Sequence, residues 1–210
     1  MHTATGEVDF RSISRVAQLA LAQLVSAEQS VFKSHPLGFF VRVLETLPTG
    51  ERIRLHVWHA SVCGNQGSEL SIHSHPFELS SYIVFGQLRN ITYDVVHSAS
   101  GGNRLFSVGY DDQHSVLTPT HERVSWQARS EAKLAAGAQY HVPAGQFHAT
   151  SVPPEAVAAT IVITGPEGAA QARVVGPDVG SPIRYRRSDQ NLPRELLEEV
   201  LEQLRRVSPL

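Results

Sequence analysis

Residues 68–90 read SELSIHSHPFELSSYIVFGQLRN. Two histidines, His73 and His75, stand two apart on a stretch that reads as a β-strand. In a strand, residues i and i+2 point to the same side, so the two imidazoles face one way. Turned into a barrel, a pair of imidazoles costs free energy unless something binds them. A metal is the usual partner, because neutral imidazole suits iron, copper, nickel and zinc. Turned outward, they are two polar residues on a wet face. The pair alone leaves both readings open.

Outward from this stretch, the chain reads as short strands between breakers. Alternation and β-branched or aromatic residues predict strands at 39–46, 52–59, 69–74, 79–85, 87–97, 104–109, 122–129, 139–142, 147–152, 156–164 and 171–175. Between them fall PTG, CGNQG, SASGG, PAGQ, VPPE and TGPEG. Many short strands at close spacing predict a sandwich or barrel. Residues 11–33 place Ile13, Val16, Leu19, Leu21, Leu24 and Val25 near helical spacing, and SHPLG (34–38) stops that pattern. Residues 192–207 predict a second amphipathic helix, with Pro193 in its first turn and a stripe of Leu196, Leu197, Val200, Leu201 and Leu204. Both stripes are expected to pack on the domain or on a second subunit, which allows a homodimer. No linker or repeat divides residues 1–210, so a single domain is expected, with the barrel over 39–176.

Composition narrows the function classes. Hydrophobic residues at 41% and charged residues at 18% suit a folded chain. A net charge of −2 gives no reason to expect a nucleic-acid or anionic-membrane partner. No apolar run approaches the ~20 residues of a membrane span. MHTATGEVDF lacks the basic-then-apolar pattern of a secretion signal, so the cytoplasm is the expected location. The lone Cys63 allows no internal disulfide and no cysteine cluster for zinc, and its loop shows no base that would activate it. The 11 histidines are the residues to follow.

Far downstream stands GAQYHVPAGQFHAT, residues 137–150. Gly137 is followed after five residues by Pro143, then by Gly145 and, two residues on, by His148. Upstream, Gly67 precedes His73 by five intervening residues, and Gly86 follows at a strand–strand turn. These two blocks resemble the two motifs of the cupin superfamily, and the resemblance covers residues 39–165. It implies an all-β fold: a double-stranded β-helix, or jelly-roll, barrel with flanking N- and C-terminal helices. It also implies one metal inside, held by His73, His75 and His148. A typical cupin adds a glutamate seven residues before the turn glycine. Here Leu79 stands there and Glu78 is off by one. A one-residue slip flips a side chain to the other face, and a bulge at Pro76 would turn it back. Glu78 is therefore a candidate fourth ligand.

Three histidines without a carboxylate resemble the thiol dioxygenases, cysteine dioxygenase and its relatives. GQLRNITYDV (86–95) is similar to the segment after the turn glycine in that family. FFVRVLE (39–45) lies where the family carries Tyr-x-Arg, with Arg42 matching and Phe40 in place of tyrosine. The resemblance implies that Arg42 holds a substrate carboxylate, as a guanidinium can do bidentately. Arg89 is the reserve clamp. The family's crosslinked cysteine and tyrosine would fall at Leu79 and near Thr164, so no such crosslink can form here.

Tyr82, out of phase with Ser81 and Ile83, reads as core or interface and completes the catalytic candidates. Arg54, His56 and Trp58 share a strand face, which lines the pocket if inward and the surface or a dimer contact if outward. SVGYDDQHSVLTPTHERV (107–124) reads as a long loop, either a lid or a solvated insertion. The expected function is that of a mononuclear non-haem Fe(II) dioxygenase acting with O2 on a small anionic, amino acid- or thiol-like molecule. The alternatives are a His3Glu isomerase, lyase or dioxygenase holding Mn, Ni, Zn or Fe, and a non-catalytic binding cupin. No organic cofactor is evident.

Overall fold

The structure is a computed structural model, and it describes residues 10–26, 31–59, 69–111, 113–153 and 156–208. Cys63, Gly67 and Asp112 lie outside the described residues. The chain opens with α1 (Phe10–Ser26), then β1 (Val31–His35), β2 (Phe39–Thr46), β3 (Arg52–Trp58), β4 (His73–Ser74), β5 (Leu79–Phe85) and β6 (Gln87–His97). It continues with β7 (Asn103–Tyr110), β8 (His114–Ala135), β9 (Gln139–Val142), β10 (Phe147–Ser151), β11 (Ala158–Thr164) and β12 (Arg173–Pro177). It closes with β13 (Ile183–Arg186), β14 (Asp189–Asn191) and α2 (Arg194–Arg206).

The strands form two antiparallel sheets of seven, ordered β14-β1-β2-β3-β11-β5-β9 and β13-β8-β6-β10-β4-β12-β7. β8 pairs with β6 along its second half and with β7 along its first, so the second sheet curls around Ile72, Tyr93, Leu105, Val124 and Val175. The expected jelly-roll barrel with a helix at each end is the architecture observed.

Alternation sorts the first sheet into two faces. Ile53, Leu55 and Val57 of β3, Ile161 and Ile163 of β11, and Tyr82 and Val84 of β5 share one face. The stripe Ile13, Val16, Ala17, Ala20 and Leu24 of α1 covers it, with Leu196, Val200 and Leu204 of α2. These residues recur at helical spacing, so each helix buries one stripe and leaves charged pairs such as Arg194–Glu198 in solvent. Both stripes therefore pack on the domain itself. The opposite face of the sheet turns toward the second sheet and lines a cavity of about 980 Å³.

Two expectations are corrected. The first helix ends at Ser26, and residues 31–35 form β1, paired with β2 and β14; 27–30 lie outside the described residues. Residues 107–124 are no loop but the tip of the β7–β8 hairpin. Asp111 organises that tip by accepting the backbone N–H groups of Gln113 and His114, and it pairs with Arg184. Pro119 sits inside β8 beside a register shift at Arg104/Phe106, where a missing N–H is tolerated; that proline hid the strand. β13 and β14, short edge strands rich in polar residues, also escaped the pattern.

Candidate metal centre

His73 lies on β4 and His148 on β10, and they are Cα partners across the two strands. The turn before β10 brings the second block to the first. Gly145 adopts φ 78, a backbone conformation that glycine enters without steric cost, and its N–H donates to the carbonyl of His75 at 2.9 Å. Pro143 and Gly145 thus fix the loop that delivers His148 to the His73–His75 pair. Gly86, at φ 81, makes the β5–β6 turn; a Cβ there would lie 2.3 Å from the Val157 carbonyl oxygen.

The three imidazoles converge. Their nearest ligand nitrogens all lie within 4.8 Å of one another. Ring centroids stand 4.7 Å apart for His73–His75, 4.6 Å for His73–His148 and 5.3 Å for His75–His148. Two of the rings are oriented from behind. His73 Nδ1 lies 2.9 Å from the Ser71 carbonyl oxygen, to which it donates, so its Nε2 keeps a lone pair. His148 Nδ1 lies 3.0 Å from Asn90 Oδ1, which leaves His148 Nε2 buried and without a partner. His75 stacks on Phe77 at 5.1 Å. Burial pushes all three pKa values below that of free histidine, and for His75 and His148 the neighbouring His73 adds to the effect. Neutral rings, tautomers set from behind and an orphaned inward nitrogen are what a metal ligand set requires. The chain's donors fit a metal ion.

The other candidates fall elsewhere. Glu78 does not join the cluster: its half-exposed carboxylate lies 3.8 Å from His141 Nε2. Arg42 pairs in register with Leu55, its Nη1 donates to the Val31 carbonyl at 3.3 Å, its Nε is buried without a partner among the described residues, and it contributes to the lining of the large cavity. Arg89 is held by Glu131 through two bonds of 2.7 and 2.6 Å on the outer surface. It is one residue out of phase with Asn90, which reaches His148. Tyr82, 4% exposed, sits in the core under the helices, away from the histidines. Arg89 and Tyr82 are thus corrected as members of the centre, while Arg42 stays on the cavity lining. Leu79 and Thr164, the positions of the absent crosslink, are Cα partners across β5 and β11.

The face left open by the sequence, Arg54–His56–Trp58, turns inward and lines the cavity together with His73, His75 and His148. Three contributors were not anticipated. Asn90 was legible in part, since a strand-depleted residue two beyond Leu88 in a β-run asks for a reason. His35 fell in SHPLG (34–38), which reads as a breaker and not as the end of a strand. The carbonyl of Ser71 leaves no trace in sequence at all.

Fold and site together define a two-sheet β-barrel with an interior three-histidine cluster at the wall of a large cavity. No family model and no curated protein matches the sequence. Among solved structures, a cupin-like protein from Thermotoga maritima aligns over 80% of this chain and 87% of its own, at 10% identity and TM-score 0.32. A protein of unknown function with a cupin-like fold from Ralstonia eutropha JMP134 aligns over 80% and 74%, at 14% identity and TM-score 0.30. These are loose superpositions, and the architecture is defined by the strand order and register above.

Proposed function

We propose that the chain is a metal-dependent cupin oxidoreductase, a mononuclear non-haem Fe(II) dioxygenase for a small anionic organic substrate. The observation that carries this reading is the convergence of His73, His75 and His148 on the cavity, with the buried Nε2 of His148 unpartnered. His73, His75 and His148 would hold iron, which would supply the chemistry of dioxygen activation there. The protein's own part is orientation. Ser71 and Asn90 fix two rings, so the ligand nitrogens need no reorganisation on binding. Leu79, Val142 and Val162 form an apolar wall beside the site that limits water. Substrate held in the cavity next to the centre loses the entropic cost of encounter.

Elemental analysis of protein purified without added metal, with oxygen uptake scanned over thiols, amino acids and aromatic acids, tests the reading. Near-stoichiometric iron with uptake on any of them is expected. Stoichiometric manganese, nickel or zinc without uptake would move the chemistry to isomerisation or elimination. No metal, and none taken up on reconstitution, would leave a binding module.

A further inference from the structure

The wall facing the histidines carries polar groups that the metal reading does not use. Arg54, His56 and Trp58 project from alternate positions of β3 into the cavity. Among the described residues, Arg54 Nε, His56 Nε2 and Trp58 Nε1 are each buried without a hydrogen-bond partner, as is Thr160 Oγ1, on the Cα partner of His56. Trp58 is 2% exposed and Thr160 0%. Leaving such groups unpaired is costly, so a ligand that satisfies them gains what the empty wall forgoes. The arginine and tryptophan N–H groups can only donate, so the ligand must supply acceptors.

Charge gives the sign. Two carboxylates line the cavity among the described residues, Glu167 and Asp189. Each already faces a cation: Glu167 lies 3.1 Å from Arg52, and Asp189 lies 3.9 Å from Lys33. Arg54 has no carboxylate partner among the described residues and rests instead over the Phe77 ring at 5.4 Å. His75 stacks on that same ring. Arg54 is therefore one aromatic ring away from the histidine cluster.

Shape gives the body of the ligand. His35, Phe39 and His56 stack in sequence at 4.2 and 4.7 Å, with interplanar angles of 13° and 29°, and Trp58 lies 5.1 Å from Phe39. These rings form a stacked aromatic column, with Phe39 in the middle and Trp58 against it, beside the guanidinium. Ligand pockets commonly span about 300–1,000 Å³, so this cavity has room for more than a two- or three-carbon acid.

We propose that the inner face of β2 and β3 is an anion subsite in which Arg54, with His56 and Trp58, holds the carboxylate of an aromatic acid whose ring packs against the exposed edge of the His35–Phe39–His56 stack. The subsite deepens the metalloenzyme reading, because it sets an aromatic carboxylate beside the metal; the subsite itself stands on β3 and needs no metal.

Calorimetric titration of the purified protein with benzoate, benzamide and acetate tests it, with metal content read on the same samples before and after stripping by a chelator. Benzoate is expected to bind about tenfold or more tighter than benzamide, which lacks the charge, and than acetate, which lacks the ring. Arg54→Gln should weaken benzoate by about tenfold or more at unchanged metal content, and Arg54→Lys should restore part of the loss. Equal binding of benzoate and benzamide by the unmodified protein would overturn the subsite, whether or not the variants fold. So would benzoate binding that vanishes on stripping and ignores Arg54→Gln, because the carboxylate would then sit on the metal. Benzoate binding that depends on Arg54 in protein that never holds metal would sustain the subsite and defeat the metalloenzyme reading.

Discussion

At the scale of single residues, position in the strand period decides who belongs to the site. Asn90 and Arg89 are neighbours in sequence, yet one orients a histidine and the other pairs with Glu131 on the surface. Their substitutions should separate cleanly. His148→Ala should remove stoichiometric metal, because two imidazoles remain of a three-membered set. Asn90→Leu should weaken metal affinity by roughly 10–100-fold, since the ring loses its partner and its fixed tautomer. Arg89→Ala and Glu78→Ala should leave metal content as it was. Chelator competition followed by elemental analysis reads all four. Loss of metal in Glu78→Ala equal to that in His148→Ala would move the centre to three histidines and a glutamate.

At the scale of elements, the strands that carry the site were legible because they are half-buried and alternate. β2, β6 and β9 fall on the residues that alternation predicts, and β5, buried along its whole length, on an apolar run closed by the Gly86 turn. The histidine triad was legible for the same reason, as two Cβ positions on one face and a Pro–Gly turn aimed at them. What was not legible depends on which face of a strand meets what. Nothing local says which face of β3 meets the cavity, so Arg54, His56 and Trp58 stayed undecided while Arg42 stood as the clamp and Arg89 as its reserve. The α1 boundary failed because Val31 and Phe32 extend an apolar pattern that only pairing with β2 and β14 resolves into a strand. The helices themselves bear on the barrel through few residues. Leu204, 0% exposed between α2 and the first sheet, has nothing to replace it. Leu204→Ala should destabilise the fold by about 2–5 kcal/mol, read as a lower urea midpoint, and spare metal affinity in the folded protein. Gly86→Ala should be worse, because strain at φ 81 and a clash with the Val157 carbonyl act together; little soluble protein is the expected readout.

At the scale of the whole molecule, the gathering of neutral histidines between the two sheets makes acid the natural antagonist of the fold. Burial holds His35 at a pKa of about 3, with His73, Arg187 and Arg54 adding repulsion, and it holds His56 well below the ordinary value, with Arg54 and His35 contributing. His73, His75 and His148 are lowered in the same direction. In the unfolded chain these rings take up protons near pH 6.5, while in the folded chain His35, His56, His75 and His148 stay neutral well below it and His73 is displaced the same way. Between those limits the unfolded state binds more protons, so stability is full above pH 6.5 and falls as the pH drops. Each such histidine contributes a slope of about 1.4 kcal/mol per pH unit inside that window. The carboxylates held low by cationic partners, such as Asp178 beside Arg104 and Arg123, act in a separate window, below the ordinary carboxylate range. Urea midpoints of chelator-treated protein should therefore fall between pH 6.5 and 5, before any carboxylate loses its partner. His35→Phe should flatten that fall by about one proton's slope, because one ring that takes up a proton only when unfolded is gone. A midpoint that stays level from pH 7.5 to 5 would mean that the histidines take up protons in the folded chain as readily as in the unfolded one, against the burial that lowers their pKa values here.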